Sequence, residues 1–340
     1  GMYNEFSDPL LNNVAFIGNR SGYFGGGMYN FQSDPQLTNT IFQANQALYG
    51  GGMQNSALST PILYRARFSE NSADFGGAMA NLGASPTLVS VEMRQNSAQQ
   101  GGAIHNSYSS SPLLRNLTLS GNNAQQGGGL YNDTSTPEVV NSILWGNTAT
   151  TGPNIVNTGV TVTTLRHSMI EGSGGSAAWN TTFGLDGGAN LDADPRFVTS
   201  TNLRLQAASP ALDVGDASEL LDPLDLDDQP RLVGVAVDLG AYERQASGLR
   251  FVNHAATGTG TGYSWANAIP SLSEALTFAG AGDELWVATG TYTPGSDRTA
   301  TFQLKSEVEI YGGFAGTEDA REDRDWTQNP VVLSGDIGDP

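Results

Sequence analysis

The chain has 340 residues with 34 acidic and 15 basic side chains, which gives a formal net charge of −19. This charge argues against DNA or RNA as a partner, because nucleic-acid binding needs strips of lysine and arginine, and the sequence has a single lysine, Lys305. It contains no cysteine and no apolar run of about 18 residues, so we expect neither disulfides nor a membrane span in this stretch.

Asparagine recurs in two columns whose members are 25 or 26 residues apart. The first column consists of Asn4, Asn30, Asn55, Asn81, Asn106, Asn132 and Asn157. The second consists of Asn19, Asn45, Asn71, Asn96, Asn122 and Asn147. A fixed period of this length predicts a solenoid of stacked coils. We expect the amide side chains to hydrogen-bond from coil to coil, as a structural ladder.

Three apolar columns run beside the asparagines. They are Met2, Met28, Met53, Met79, Ile104, Leu130 and Ile155; Leu11, Leu37, Leu63, Leu88, Leu114 and Val139; and Phe16, Phe42, Phe68, Met93, Leu119 and Leu144. Three inward positions per period, with Gly, Pro and Asn between them, indicate three short strands per coil. The predicted fold class is therefore all-β, a three-faced parallel β-helix, right-handed by the usual crossover preference.

The regular period ends after Asn157, and three parts are expected. Residues 1–170 form the coils, 171–245 an acidic closing segment, and 246–340 the start or cap of a further β-helix module. Within this last part, Ser271 and Glu274 have the spacing of a capping box and predict a short helix over 271–279. Its apolar face would consist of Leu272, Ala275, Leu276 and Phe278. We expect the helix to cover the open end of a coil.

Several segments resemble parts of secreted bacterial β-helix proteins. NLDADPRFV at 190–198 and VDLGAYE at 237–243 resemble the closing segment of the choice-of-anchor Q type, while RFVNHAATGTG at 250–260 and YGGFAGTE at 311–318 resemble the opening of such proteins. F-x-x-N at Phe16–Asn19, Phe42–Asn45 and Phe68–Asn71, with GGAI at Gly101–Ile104, is similar to repeats of the chlamydial-type polymorphic outer-membrane proteins. The resemblance implies a surface-displayed, adhesive protein.

Aromatic residues at outward positions are the candidate binding residues. Tyr29, Tyr49, Phe75 and Tyr131 could stack on sugar rings or on a partner, or stack on one another for stability alone. His105 occupies the same column as Tyr29 and Tyr131 and is interpreted as an exterior strand residue.

The charged residues allow a metal site and, more weakly, a catalytic one. Asp222, Asp225, Asp227 and Asp228 lie within seven residues and suit Ca²⁺, with a solvated acidic surface as the alternative. Asp8 and Asp34 are one period apart and either form an acid/base pair or are turn residues before proline. The arginines of the coils are expected to be scattered and to face solvent; they are Arg65, Arg67, Arg94 and Arg115.

These observations favour a non-enzymatic structural or adhesive protein that is extracellular or on the cell surface. No residue is assigned a catalytic role, and no cofactor is required, with Ca²⁺ as the one candidate. The expected partners are copies of the chain stacked head to tail or adjoining modules of the same polypeptide, and a surface polysaccharide. The alternatives are a polysaccharide lyase or glycoside hydrolase, or a sugar-binding adhesin, on the same scaffold.

Overall fold

A computed structural model describes residues 1–206, 209–244, 248–258, 260, 262–279 and 283–336. The chain forms two compact units. The first contains Gly1–Leu205 and Ser209–Arg244, and the second contains Gln206 and the described residues of 245–340. Both consist of parallel strands stacked coil on coil, and this confirms the predicted all-β fold, a parallel β-helix.

The first strand of each coil belongs to a seven-stranded parallel sheet. With strands numbered in chain order, its members are β1 (Met2–Glu5), β4 (Met28–Phe31), β7 (Met53–Ser56), β10 (Met79–Leu82), β12 (Ile104–Ser107), β15 (Leu130–Asp133) and β19 (Ile155–Thr158). The register pairs equivalent residues of successive coils, for example Met28 with Met53 and Met79 with Ile104.

The second and third strands of the coils join into a 13-stranded sheet. It contains β2 (Leu10–Asn12), β3 (Ala15–Ile17), β5 (Gln36–Thr38), β6 (Ile41–Gln43), β8 (Ile62–Tyr64), β9 (Arg67–Ser69), β11 (Thr87–Arg94), β13 (Leu113–Ser120), β16 (Glu138–Val140), β17 (Ile143–Trp145), β20 (Thr164–Arg166), β21 (Met169–Ile170) and β22 (Leu185–Asp186). Because β22 pairs with β20 and Leu191 bridges to Met169, the stack of coils continues past residue 170.

Short elements complete the first unit. Strands β14 (Asn123–Gln126) and β18 (Thr148–Thr151) pair at a corner, and two 3₁₀ helices, η1 (Thr181–Phe183) and η2 (Ala217–Glu219), follow the regular coils. The corner between the second and third strands has a left-handed residue in every coil. Asn13, Asn39, Arg65, Ser90, Asn116, Asn141 and His167 have φ between 44° and 56°.

The three predicted apolar columns form one continuous core inside the coils. Leu63, Phe68 and Met79 have no exposed surface, and the rings of Phe42 and Phe68 stack with centroids 4.6 Å apart and planes 4° apart. Each core residue therefore packs on its own equivalent in the coils above and below, which explains why the columns keep one residue type over several periods.

The second unit contains the one α-helix of the described residues. Its elements are β23 (Leu249–Val252), α1 (Leu272–Phe278), β24 (Glu284–Ala288), β25 (Gly290–Tyr292), β26 (Glu309–Phe314), η3 (Arg321–Asp323) and β27 (Val331–Leu333). Ser271 is the N-cap and accepts from the Glu274 N–H at 3.3 Å. Leu272, Ala275 and Leu276 are buried in an apolar cluster with Leu285 and Val287 of β24, while the side chain of Phe278 lies outside the described part.

Candidate functional site

Both asparagine columns form unbroken ladders of side-chain hydrogen bonds along the coil axis. In the first column the Asn55 amide nitrogen donates to Asn81 Oδ1 at 2.9 Å, and each neighbouring pair repeats this bond. In the second, both the backbone N–H and the side-chain nitrogen of Asn71 donate to Asn96 Oδ1 at 2.9–3.0 Å. The same side-chain nitrogen also donates to the Phe42 carbonyl oxygen, so each rung satisfies backbone groups of a buried corner.

Asp8 and Asp34 take part in a similar, exposed rung at a turn. Asp8 Oδ1 accepts from the Asp34 N–H at 2.6 Å, and Asp34 Oδ1 accepts from the Thr60 N–H at 2.5 Å. Their stacking therefore satisfies turn amides in the manner of the turn-residue alternative.

Residues 213–242 of the closing segment lie across the outer surface of the 13-stranded sheet. The segment begins over a late coil, where the Asp216 N–H donates to Asn141 Oδ1 at 2.8 Å. The Ala241 N–H donates to Thr118 Oγ1 at 2.8 Å, and Asp228 Oδ2 reaches Asn39 of the second coil at 3.1 Å. The segment thus covers the side of the stack over several coils.

A close backbone approach holds the segment near the middle of this surface. Gly240 has φ +92°, and a Cβ there would be 2.6 Å from Thr118 Oγ1 and 2.9 Å from Ile143 Cδ1. Only glycine fits this position, because any side chain would separate the segment from the sheet.

The arginines of the coils pair with carboxylates of the segment, so the prediction that they are scattered and solvent-facing is wrong. Arg65 pairs with Asp222 and, at 2.9 Å, with Asp228. Arg115 Nε lies 3.2 Å from a carboxylate oxygen of Glu219, and the Arg115 side chain is only 7% exposed.

Two further arginines of the coils take part. Arg67 pairs with Asp227 at 3.0 Å, and Arg166 pairs with Glu219 at 2.6 Å. Arg94 differs, because it bonds to Glu92 of its own strand at 3.1 Å. The acidity of the segment thus neutralises basic residues of the sheet that it covers.

The candidate calcium residues do not converge on one point. Asp222, Asp227 and Asp228 have the arginine partners given above, while Asp225 is buried and accepts backbone N–H groups of Asp227, Gln229 and Glu243 at 2.9 Å. Within the described residues no group of three or more His, Asp or Glu side chains is arranged to hold a metal ion.

Calcium binding by this loop stays a prediction with a direct test. Because arginines already neutralise three of the four carboxylates, Ca²⁺ would have to displace ion pairs, and weak structural binding is the most that the loop supports. Chelation by EDTA should then lower the melting temperature slightly. A calcium titration that releases no heat, together with an unchanged melting temperature in EDTA, would contradict calcium binding by this loop.

A buried charge cluster fixes the end of the segment. Arg231 is 1% exposed and donates to the carbonyl oxygens of Asp238 and Gly240, with Glu243 3.9 Å away. Burial raises the pKa of Asp238 to about 6. Burial and then the charge of Asp238 raise the pKa of Glu243 to about 9, so that the cluster holds a proton at neutral pH.

Tyr242 joins the segment to the sheet through a buried hydrogen bond. Its hydroxyl donates to Glu92 Oε2 at 2.7 Å, and both side chains are at most 5% exposed. Burial, and then the charge of Glu92, raise the pKa of Tyr242, so the hydroxyl keeps its proton and remains a donor.

Replacing Tyr242 by Phe keeps the ring but removes this donor to a buried carboxylate. We expect the free energy of unfolding to fall by about 1–3 kcal/mol, measured by equilibrium urea unfolding. Tyr108→Phe is the matched control, because Tyr108 is 75% exposed and should change the free energy by less than about 0.5 kcal/mol. Equal effects from the two variants would show that the segment is not anchored by Tyr242.

The outward aromatic residues stack on one another, both in the seven-stranded sheet and at the bridges that precede it in each coil. Tyr49 and Phe75 stack with centroids 4.8 Å apart, and Phe75 meets the edge of His105 at 5.4 Å. Tyr29 is half-buried and lies 5.0 Å from Phe24, whereas Tyr131 is buried. This stacking agrees with the stability alternative, while Tyr29, Tyr49 and Phe75 each keep part of their surface exposed.

His105 lies on the outer side of its strand, as its column predicts, but it is covered there and not exposed to solvent. It is 6% exposed and stacks on Tyr131 with centroids 5.2 Å apart and planes 4° apart. Burial lowers the pKa of His105 to about 4. The folded protein therefore holds the ring neutral, whereas the unfolded chain protonates it below about pH 6.5.

His105 should make stability depend on pH between about 6.5 and 4. Its contribution is fully present above pH 6.5 and is lost as the pH falls, because the unfolded chain then binds the proton more tightly. His105→Tyr, which introduces the residue found at Tyr29 and Tyr131, should therefore lose about 2–3 kcal/mol less than the wild type between pH 7.5 and pH 4.5. Parallel pH profiles in urea unfolding would contradict the buried neutral ring.

The cover formed by the closing segment was missed in the sequence. One signal could have revealed it: arginines recur in the second and third strands of the coils, and the acidic run at 216–228 supplies their partners.

The described residues include no helix with the length and apolar composition of a membrane span. Comparison with known proteins finds no matching family model, no matching curated protein and no matching solved structure.

Proposed function

We propose that this chain is a non-enzymatic structural and adhesive β-helix protein that is secreted or displayed on the cell surface. The observation that supports the proposal is the cover over the 13-stranded sheet. Glu92, Arg115 and Arg166 could otherwise line a groove, and instead they are bound to Tyr242, Glu219 and other residues of the same unit. Polysaccharide cleavage needs charged groups that converge in an open cleft.

The secreted, surface-displayed character is supported by the resemblance of residues 190–243 to the choice-of-anchor Q type. The architecture suits such a role as well. A stack of coils with ladders of buried amides is an extended, rigid scaffold, and its length grows with the number of coils.

The proposal is tested by incubating the chain with a panel of plant, bacterial and animal polysaccharides. The release of reducing ends and of unsaturated uronates is measured. We expect no cleavage products. Product release that is abolished by Glu92→Gln would overturn the proposal in favour of a lyase or hydrolase.

A sugar-binding role of the aromatic column is the second candidate. It is favoured by the partly exposed rings of Phe24, Tyr49 and Phe75, which are equivalent residues of successive coils and follow each other along the axis. Tyr29 adds a half-buried ring beside Phe24. Tyr49→Ala should then weaken binding to a polysaccharide without unfolding the coils. Unchanged binding by this variant would remove the candidate.

We also propose that further β-helical coils are the partner at the edges of the first unit. Strands β1 and β2 each pair with one neighbouring strand in the described structure, and an open strand edge pairs with another strand. The partner is either a coil of the same polypeptide or a coil of a second copy stacked head to tail. The mass of the intact polypeptide and its oligomeric state at high concentration separate the two. A monomer with no further coils would contradict both.

A further inference from the structure

The second unit contains an open cavity of about 480 Å³ between strand β26 and the turn that follows η3. It is lined by Gly312, Gly313, Arg324, Trp326, Pro330 and Val331. No site expectation from the sequence falls on these residues.

Trp326 is the most informative residue of the cavity. Its side chain is 67% exposed, and no other tryptophan of the described residues is exposed to this degree. Exposing an indole leaves a large apolar surface in water, which is unfavourable unless a ligand covers it. An exposed ring at the wall of a cavity is suited to stacking on a flat, partly apolar ligand.

The turn that presents Trp326 is held in place. The Asp325 N–H donates to the Gly313 carbonyl oxygen at 2.7 Å, and the Asp325 carboxylate accepts from the backbone of Thr327 and Gln328 at 2.9 and 3.2 Å. Gly313 has φ +100°, and a Cβ there would be 2.9 Å from the Trp326 backbone nitrogen. The backbone that carries the ring is therefore preorganised, and a ligand would not have to order the turn.

Arg324 supplies hydrogen-bond donors beside the ring. Its guanidinium lies 4.9 Å from the centroid of Tyr311 and 5.7 Å from that of Trp326. Within the described residues no carboxylate lies within ion-pair distance of Arg324, whereas neighbouring Arg321 lies 3.3 Å from Glu284. The five N–H groups of Arg324 can therefore donate to oxygen atoms of a ligand.

The surrounding charge selects against an anionic ligand. Glu309 and Glu322 lie within 4.0 Å of Arg321, three residues before Arg324, and their side chains are 60% and 78% exposed. The chain as a whole carries a net charge of −19. This field repels polyanions and leaves neutral ligands unaffected.

We propose that this cavity binds a neutral pyranose unit of a polysaccharide. The apolar face of the sugar ring stacks on Trp326, and hydroxyl oxygens of the sugar accept hydrogen bonds from Arg324. The site is a second one, in the other unit from the sheet cover and the aromatic column. Sugar binding at this site is therefore independent of whether the first unit is enzymatic.

The test uses the whole chain and hexasaccharide probes, namely cellohexaose, maltohexaose, mannohexaose and chitohexaose, with hexagalacturonate as the anionic comparison. Binding is measured by calorimetry and by the emission of tryptophan. We expect at least one neutral probe to bind and to shift the emission to shorter wavelength, because the exposed indole becomes covered. Trp326→Ala and Arg324→Ala should each weaken this binding by about tenfold or more.

Two variants serve as controls. Trp326→Phe keeps a ring and should retain binding while losing the emission shift. Leu304→Ala removes another exposed side chain of the same unit, 71% exposed, and should change nothing. The proposal is overturned if no neutral probe binds at about 10 mM, if binding is unaffected by Trp326→Ala, or if only hexagalacturonate binds.

Discussion

Replacing Asn122 by Ala should lower the free energy of unfolding by about 3–5 kcal/mol. Asn122 has no exposed surface, and its side-chain nitrogen donates to the Met93 carbonyl oxygen and to Asn147 Oδ1 at 2.9 Å. Its Oδ1 accepts from both the backbone and the side-chain nitrogen of Asn96. Alanine would leave the buried Asn96 backbone N–H without this acceptor, and would take one hydrogen bond each from the Asn96 side-chain nitrogen, the Met93 carbonyl oxygen and Asn147 Oδ1. A buried group left unpaired costs about 1–3 kcal/mol, and the lost hydrogen bonds add to this.

The neighbouring residue provides the control for this measurement. Asn123 is exposed, and its side chain donates to Thr148 Oγ1 at 2.7 Å. Asn123→Ala should therefore cost less than about 1 kcal/mol in equilibrium urea unfolding followed by circular dichroism. Similar losses from Asn122→Ala and Asn123→Ala would mean that the ladder does not stabilise the coils.

Replacing Leu114 by Ala should cost about 2–5 kcal/mol. Leu114 has no exposed surface and lies between Leu88 and Val139 of the adjacent coils. Both neighbours are held by the hydrogen bonds of their strands, so the stack cannot collapse into the cavity and the full cost of the lost contacts remains.

Leu113 is the matched control for the core. It precedes Leu114 on the same strand, faces outward and is 38% exposed. Leu113→Ala should therefore cost less than about 1 kcal/mol under the same conditions. If Leu113→Ala were the more destabilising variant, the inward and outward faces of β13 would be reversed and the register would be wrong.

The sequence predicts the coils well because one physical rule repeats in them. In parallel stacked strands every side chain meets its equivalent one coil away, so a residue that suits one rung suits the next. The repeat is therefore visible in the sequence, as in Phe42 and Phe68 or in Asn71 and Asn96. The residue type that a column keeps also indicates that the column is buried. The capping pair at Ser271 is similarly local, since it depends on residues three apart.

The cover over the 13-stranded sheet could not be predicted in the same way. Arg65 and Asp222 are 157 residues apart, and nothing periodic connects them. Arg65 also occupies a corner position where other coils have Asn39 or Ser90, so its own column does not reveal a partner. The burial of His105 was missed for a related reason, because the alternating pattern of its strand shows which side it faces but not what covers that side.

The acidic candidates and Trp326 show that sequence composition alone does not identify a site. Asp227 and Asp228 are close in sequence, yet one bonds to Arg67 and the other to Arg65 and Asn39. Proximity along the chain therefore does not bring carboxylates around a common point. Trp326 could not be predicted as a site residue, because a single tryptophan in a polar turn belongs to no sequence pattern. Only its exposure beside a cavity distinguishes it.

Hydrogen–deuterium exchange of residues 213–242 tests most directly whether the charged sheet is closed by the protein's own segment. The backbone amides of Gly240 and Ala241 donate to Asn141 and Thr118 of the coils and should exchange as slowly as those of strands β11 and β13. Exchange of the segment at the rate of an exposed loop, with the coils protected, would contradict the account, because the charged surface would then be open to a substrate.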